Sequence, residues 1–509
     1  MKDPDVKAGK HETEVEQKHP MIIVKCIGHE FFYPLSDILR LFTGMIPSTK
    51  EDRIVCEAGA LASAIEPSSE DLVLISSIED KWVETRTESG APGKEPWRIF
   101  IDKEDLFLPL NREVKRQLYF LLSRLSGRSF PWGSLTGIRP TQVARELSSE
   151  DEMTKIYDVR EDKAHLAFLT RDREDLVLSG SSSEDLHVYI GIPFCPSRCS
   201  YCSFVAQEAP RKTALLPQYV DAVLSEMDMV LPKIKRKIET LYIGGGTPTV
   251  LSDELFEKFI RGVFSHPELS DLKEVCVEAG RPDTITERKL KALLDAGVKR
   301  ICINPQTLCD DTLLRVGRKH TAEDFVKAFE MARSLGFSII NTDLIAGLPE
   351  ETAEEFCDSL RRIIELQPEN ITVHSLSKKR RATLTREEIV KQEKEELQRI
   401  EKMLTFASEQ LLLAGYSPYY MYKQKDTLGG HENVGYSKDG TECLYNIAMM
   451  SDQRSVLSFG AGGMSKRVFF ESEDVLHARV ERCPCIKDPI QYIRNVKDMA
   501  EKKVGFFRA

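Results

Sequence analysis

The sequence predicts an α/β protein built on a parallel sheet, open or partly closed into a barrel. Two observations predict it. After Gly180-Ser181-Ser182-Ser183-Glu184-Asp185, short β-rich runs alternate with amphipathic helical stretches, the pattern of strands joined by helical crossovers. The residues with chemical potential also fall just after the β-rich runs, at the carboxyl ends where α/β sheets bind ligands. The runs are His187–Ile192, Thr240–Ile243, Glu274–Glu278, Arg300–Asn304, Ser338–Ile345 and Asn370–Val373. Helices are expected near Pro217–Val230, Asp253–Val263, Glu287–Ala296, Ala322–Leu335 and Ala353–Leu366.

The flanking regions divide by composition. Residues 1–18 are charged and poor in apolar residues, and read as a disordered tail. Residues 19–171 are expected to form an accessory α+β domain. Its strands are Met21–Ile27, Leu72–Ile78 and Arg98–Ile101, and its helix Glu113–Leu125 carries Val114, Leu118, Leu121 and Leu122 on one face. Residues 172–186 read as a linker and 187–376 as the barrel. Residues 377–509 read as a helical and mixed domain that covers the barrel mouth. Within it, a long helix is expected over Arg386–Leu413, followed by Tyr-rich and Gly-rich segments at Tyr416–Tyr445 and Ser458–Lys466.

Composition narrows the function classes. The chain has 509 residues, 41% hydrophobic and 30% charged, which is ordinary globular usage. Lysine plus arginine number 71 against 81 acidic residues, a net charge of −10, so nucleic acid is not an expected partner. No apolar run reaches the roughly 18 residues of a membrane span. Met21-Ile22-Ile23-Val24 is too short for a signal-peptide core. A cytoplasmic protein with reduced thiols is expected. Its 12 cysteines are too sparse for a disulfide framework.

The strongest signal is Cys195-Pro196-Ser197-Arg198-Cys199-Ser200-Tyr201-Cys202, directly after the first barrel strand. Three thiolates on one tight loop can each hold one iron of a cubane cluster and leave the fourth iron without a protein ligand. The amino and carboxylate groups of S-adenosylmethionine can chelate such an iron. An electron from the cluster can then break the sulfonium C–S bond and release a deoxyadenosyl radical. A structural zinc site would need a fourth Cys or His, and this loop has none.

Tyr201 before the third cysteine makes the string resemble the radical S-adenosylmethionine signature. The wider Tyr189-Ile190-Gly191-Ile192-Pro193-Phe194-Cys195 resembles the oxygen-independent coproporphyrinogen III oxidase family, the coproporphyrinogen dehydrogenases. Trp132-Gly133-Ser134-Leu135-Thr136-Gly137-Ile138-Arg139-Pro140-Thr141 looks like the longer, HemZ-type branch. On its own chemistry this last string reads as an ordered loop packed on a core. The resemblance covers about Tyr189 to Lys466. It implies a partial (βα)6 radical-SAM barrel and a [4Fe-4S] cluster on Cys195, Cys199 and Cys202. It implies S-adenosylmethionine seated by Tyr189, Tyr201, Phe204, Gly245, Gly246, Thr247, Glu278, Gln306, Arg318 and Asp343. The dehydrogenases hold a second S-adenosylmethionine with some of these residues, so a count of one or two stays open.

The resemblance implies a tetrapyrrole substrate, oxidative decarboxylation of coproporphyrinogen III to protoporphyrinogen IX, and a reductant protein such as a flavodoxin or ferredoxin. Two departures stand out: Phe204 replaces a fourth cysteine of the dehydrogenases, and Gly191 replaces a histidine. The heme-chaperone relatives carry an H-N-x-x-Y-W string. Aligning Asn433 puts Glu432 at the heme-ligand position, with His431 one residue off. A heme-binding chaperone and a radical enzyme acting on another substrate are the alternative readings. For a tetrapyrrole, Lys378-Lys379-Arg380-Arg381 is the candidate for the carboxylates, and Tyr419, Tyr420, Tyr422, Lys423 and Lys425 form a second candidate wall whose aromatic faces could pack on pyrrole rings. A solvated loop and an ordinary core are their plainer readings. Cys483-Pro484-Cys485 could ligate a second cluster, but with no further pair nearby two ordinary thiols are the plainer reading.

Overall fold

A computed structural model describes residues 20–61, 71–88, 97–137, 139–202, 206–209, 214–376, 386–424, 427–470 and 478–508. The expected tail, Phe204, Lys425 and the basic run 378–381 lie outside the described residues. The chain divides into two compact units between Ser129 and Phe130.

In the first unit, β1 (Met21–Ile27) is followed by α1 (Phe32–Thr43), β2 (Ser48–Lys50), β3 (Arg53–Glu57), β4 (Leu72–Ile78), β5 (Trp82–Thr87), β6 (Arg98–Asp102) and α2 (Leu110–Ser126). The strands form one mixed sheet of order β2-β3-β1-β4-β5-β6. β1 buries Ile22, Val24 and Cys26, every second residue, as a one-sided strand should. Helix α2 buries Val114, Leu118, Leu121 and Leu122, the face that its apolar spacing predicts. The other strands and α1 were not expected: Ser48–Lys50 carries no apolar alternation, whereas Arg53–Glu57 buries alternate residues and α1 buries Leu35, Ile38, Leu39 and Phe42, signals that sequence reasoning missed.

The second unit opens with α3 (Pro140–Glu146), α4 (Glu150–Tyr157) and α5 (Glu161–Leu178). Two expected boundaries therefore move. The accessory region ends near residue 129 and not at 171. The expected linker at 172–186 is helix as far as Leu178, since α5 buries Leu166, Ala167, Phe168 and Leu178 and so has a packed face to hold it.

Six parallel strands follow: β7 (Leu186–Ile192), β10 (Ile238–Gly245), β11 (Glu274–Gly280), β12 (Arg300–Ile303), β13 (Ile339–Ala346) and β14 (Asn370–Ser375). The two-residue β8 (Phe194–Cys195) and β9 (Gln207–Glu208) bracket the cysteine loop. Helices α6 (Leu215–Val230), α7 (Asp253–Phe264), α8 (Glu287–Asp295), α9 (Asp310–Arg315), α10 (Ala322–Leu335) and α11 (Ala353–Glu365) connect the strands. Ser252, Thr286, Thr321 and Thr352 each cap a helix by accepting a backbone N–H three residues on. Thr321 with Asp324 and Thr352 with Glu355 complete reciprocal capping boxes. These local signals, with β12 buried at all four residues, are why the alternating rhythm was legible.

After α12 (Arg386–Leu413) come β15 (Ser417–Lys423), β16 (Glu432–Ser437), α13 (Leu444–Met450), β17 (Ser455–Phe459), β18 (Met464–Phe469), β19 (Arg479–Pro484), α14 (Pro489–Arg494) and α15 (Val496–Arg508). Among the described residues the sheet order is β15-β16-β14-β13-β12-β11-β10-β7-β17-β18-β19. The parallel core does not close on itself, as a partial barrel requires. The expected C-terminal region is continuous with the barrel through its sheet. Its strands extend the barrel's own sheet at both edges, because an open parallel sheet leaves unpaired backbone at its outer strands.

The segment before α13 lies instead at the amino end of the barrel. The Arg300 guanidinium, at the start of β12, donates to Thr441 O at 2.8 Å and Glu442 O at 2.9 Å. Glu274, at the start of β11, accepts from the N–H groups of Leu444 and Tyr445, both at 3.2 Å. A second buried tie fixes the C-terminus. Glu226 on α6 pairs with Lys503 of α15 and accepts from Tyr492 Oη at 2.6 Å and Gly460 N at 3.2 Å. Breaking such a pair strands a buried charge, so Lys503→Met should cost about 3–5 kcal/mol. A fall in the urea midpoint at unchanged slope would measure it; an unchanged midpoint would refute the tie.

Candidate functional site

β7 ends at Ile192, and the chain turns through Pro193 into the cysteine loop. Gln207 N donates to Pro193 O at 2.9 Å and Ala209 N to Cys195 O at 2.8 Å, so the loop's two ends are stapled together. A second staple joins it to the turn after α9. There Ser200 N donates to Val316 O at 3.0 Å and Ser197 Oγ to Gly317 O at 3.0 Å. Cys195, Cys199 and Cys202 are all partly exposed.

Hydrogen-bond donors surround the sulfurs. Thr247 Oγ1 approaches Cys195 Sγ at 3.6 Å. The Arg281 guanidinium donates to Ser197 Oγ at 2.8 Å, approaches Cys199 Sγ at 3.9 Å and is oriented by Asp283 through two 3.0 Å bonds. Burial pushes the Cys195 thiol up, and the Thr247 hydroxyl opposes that shift. Among the described residues no three His, Cys, Asp or Glu side chains converge on a single metal ion. A cubane does not need that, since each thiolate takes a different iron. Three thiols on one loop, two of them with donors aimed at their sulfurs, fit such a cluster, and a mononuclear ion fits poorly.

The glycine loop at the end of β10 packs directly under the cysteine loop. Gly246 N donates to Ile192 O at 2.8 Å and Thr247 N to Phe194 O at 2.8 Å. A Cβ at Gly246 would lie 2.5 Å from Phe194 O, so only glycine fits there. Gly245 has φ +113° and gives its N–H to Glu278 Oε2 at 3.2 Å. These N–H groups are thus engaged within the protein, and the loop's visible work is to hold the cysteine loop.

The other sequence-derived positions gather at the carboxyl ends of β11 to β13. Glu278 Oε1 accepts from Tyr242 Oη at 2.7 Å. Burial pushes its carboxyl up to about 7, with the Asp343 charge adding to the rise. Gln306 has φ +72°, rare for a residue with a side chain, and its Oε1 is buried without a partner among the described residues. Arg318 is buried and donates to Asn304 O at 2.5 Å and Pro305 O at 3.1 Å. Its charge lies against Tyr201 and Cys199. Asp343 faces His374 Nε2 at 3.7 Å, and His374 Nδ1 meets Tyr422 Oη at 3.2 Å. Tyr189 stacks on Tyr242 and Tyr445, its hydroxyl 3.3 Å from the Cβ position of Gly245.

These positions could seat a nucleotide: carboxylates for hydroxyl or ammonium groups, an orphaned amide oxygen, and guanidinium near the sulfurs. Sequence reasoning missed Arg281, the Ser197–Gly317 staple, Tyr242, Tyr445 and His374. For Arg281 a signal existed, since Arg281-Pro282-Asp283 directly follows a strand end. A groove of about 920 Å³ between α7 and α8, lined by Ile260, Arg261, Phe264 and Arg288, includes none of these residues.

The remaining candidates separate cleanly. Tyr419 and Tyr420 are core residues. Lys423 donates to Leu135 O at 2.8 Å and sits over the Trp132 ring, whose string is the packed loop expected of it. Cys483 and Cys485 are buried. Glu432 is fully buried, pairing with Lys163 Nζ at 2.6 Å and accepting from Trp132 Nε1 at 2.7 Å. Burial alone would raise its carboxyl, but Lys163 holds it down at about 2.

The barrel and its cysteine loop define a radical S-adenosylmethionine protein, and the sequence model of the Radical SAM superfamily matches residues 189–363. The chain is 34% identical over 466 residues to the oxygen-independent coproporphyrinogen-III oxidase-like protein HemZ of Bacillus subtilis, covering 87% of this chain and 91% of that one. It is 29% identical over 324 residues to the heme chaperone HemW of Haemophilus influenzae, covering 63% and 78%. Coproporphyrinogen III oxidase (HemN) from Escherichia coli, a solved structure, aligns at 21% identity and TM-score 0.47 over 66% of this chain and 73% of that one. The chain belongs to the HemZ-type branch of the oxygen-independent coproporphyrinogen III oxidase family. Its cofactors are those of the superfamily, a [4Fe-4S] cluster and S-adenosylmethionine.

Two outcomes follow from the geometry. Replacing Cys195, Cys199 or Cys202 by alanine should abolish the reduced-cluster electron-resonance signal of anoxically reconstituted protein, and Gly246→Ala should weaken it. Full signal in the cysteine variants would place the cluster elsewhere. Glu432, held at about 2 in the fold against about 4.3 unfolded, adds stability that is complete above the unfolded value. That stability is lost as pH falls from about 4.3 toward 2. Acid titrations of wild type and Glu432→Gln should therefore converge at low pH; parallel curves would refute the pair.

Proposed function

We propose that this protein carries out oxygen-independent oxidative decarboxylation of coproporphyrinogen III to protoporphyrinogen IX. The observation that carries this over the chaperone reading is Glu432. It stands where the chaperone string has its heme-ligating histidine, and Lys163 and Trp132 consume both of its oxygens. Neighbouring His431 is buried, with its Nε2 3.7 Å from Glu401. Neither side chain is presented to a porphyrin iron.

When bound, the cluster and S-adenosylmethionine supply hydrogen-atom abstraction. Each reacting propionate, R–CH2–CH2–COO⁻, would give one hydrogen atom to the cofactor and one electron to an external one-electron acceptor, leaving R–CH=CH2 and carbon dioxide. Cys195, Cys199 and Cys202 hold the cluster in this reading. Arg281 and Arg318 offset the negative charge of the thiolates. Glu278, Gln306, Asp343, Tyr189 and Gly245 to Thr247 position the nucleotide. The basic run 378–381, after β14 in sequence, receives propionate carboxylates. A small electron-transfer protein, a flavodoxin or ferredoxin, reduces the cluster.

The test is anoxic, reconstituted protein with dithionite, S-adenosylmethionine and coproporphyrinogen III, followed by mass spectrometry. Protoporphyrinogen IX with carbon dioxide is expected. Deoxyadenosine without any vinyl product would move the substrate elsewhere. Stoichiometric heme binding without turnover would restore the chaperone reading.

A further inference from the structure

Below the glycine loop the barrel interior holds oxidisable side chains, of which Tyr242, Tyr445, Cys276 and Cys302 have no part in the proposed nucleotide seat. The Tyr242 and Tyr445 rings stack with centroids 4.6 Å apart and planes 24° from parallel. Tyr189 lies 6.2 Å from each, at 21° from Tyr242 and 20° from Tyr445. Cys302 Sγ is 4.0 Å from Tyr242 Oη and 3.5 Å from Cys276 Sγ, and both thiols are buried. Tyr242 Oη donates to Glu278 Oε1 at 2.7 Å. β10 and β11 set this bond by pairing in parallel, and α13 delivers Tyr445 through the Glu274 and Arg300 clamp.

This arrangement is specific to one kind of chemistry. A neutral phenol loses an electron readily only if its proton leaves in the same event, which requires a base already hydrogen-bonded to the hydroxyl. Glu278 is that base. Burial makes it a stronger proton acceptor than a solvent-exposed carboxylate. The stacked rings and the thiol behind them add further one-electron donors within contact distance. A buried phenol needs a hydrogen-bond partner in any case, and here that partner is a carboxylate, which unlike a backbone carbonyl can also take the proton.

We propose that Tyr242 is a redox-active phenol that yields a hydrogen atom, or an electron with its proton passing to Glu278, to a one-electron oxidant at the barrel mouth. Where the oxidant is a carbon-centred radical, the phenol O–H bond breaks, a C–H bond forms, and the unpaired electron remains on Tyr242. Where the oxidant takes only an electron, the proton moves to Glu278 Oε1. A phenol O–H is weaker than an alkyl C–H. Transfer from Tyr242 to an unactivated alkyl radical therefore runs downhill. This role holds whatever the substrate is, and its failure would leave the decarboxylase reading untouched.

The test uses full-length protein without cluster or nucleotide, photo-oxidised by tris(bipyridine)ruthenium with persulfate and mapped residue by residue by mass spectrometry. Exposed Tyr33 serves as the internal reference. Tyr242 is expected to be oxidised at least as heavily as Tyr33 despite being partly buried, with an organic radical signal in frozen samples. Glu278→Gln keeps the phenol and removes the base; it should cut Tyr242 oxidation several-fold while leaving Tyr33 unchanged. Tyr242→Phe, which keeps the ring stack, should remove the part of the frozen signal that Glu278→Gln also removes and leave the Tyr33 modification unchanged. An unmodified Tyr242 beside a modified Tyr33, or full oxidation in Glu278→Gln, would overturn the proposal.

Discussion

A parallel sheet that stops short of closure leaves two rows of unpaired backbone groups, and the second unit is arranged around satisfying them. β16 pairs antiparallel with β14 at one edge, and β17 pairs parallel with β7 at the other. Both come from the C-terminal third of the chain. Their pairing carries the connecting segment across the amino end of the barrel, where Arg300 and Glu274 grip its backbone. The same routing brings α15 against α6, where Lys503 meets Glu226. Edge protection, barrel floor and C-terminal anchorage are thus consequences of one constraint.

That constraint also shapes the site. The floor is rigid because buried charges are paired in it, and Tyr445 arrives on that floor to stack with Tyr189 and Tyr242. At the other end, the cysteine loop is held by three separate elements: β9, the glycine loop of β10 and the turn after α9. An acidic protein of net charge −10 concentrates two buried guanidinium groups, Arg281 and Arg318, beside this loop. Local placement, not net charge, decides what the loop can bind, since a buried cation acts at short range in a low-dielectric setting.

Glu278 and Glu432 show how environment separates chemically identical groups. Both are embedded carboxylates. Glu278 has a phenol and a backbone N–H for partners, and among the described residues no cation pairs with it. Glu432 has Lys163 within 2.6 Å. The first is left a good proton acceptor and the second a fixed anion. One is suited to chemistry at the barrel mouth and the other to holding β16 against α5.

Much of this was legible in the chain itself. The six barrel strands, most of their connecting helices and the cysteine and glycine loops are local features, set by apolar period, capping residues and short-range spacing. Period and spacing act over a few residues, so sequence carries them. The accessory boundary, the fate of the C-terminal strands, the Lys163–Glu432 pair and the Tyr189–Tyr242–Tyr445 stack are not local. Each depends on which distant backbone edges pair, and a tyrosine or a carboxylate bears no mark of its partner until that pairing is made. The sequence by itself determined the barrel's alternating plan and the thiols at its mouth. Tertiary structure alone decided what closes the floor, which carboxylate is paired with a cation and which is not, because burial and partner distance exist only in the folded chain.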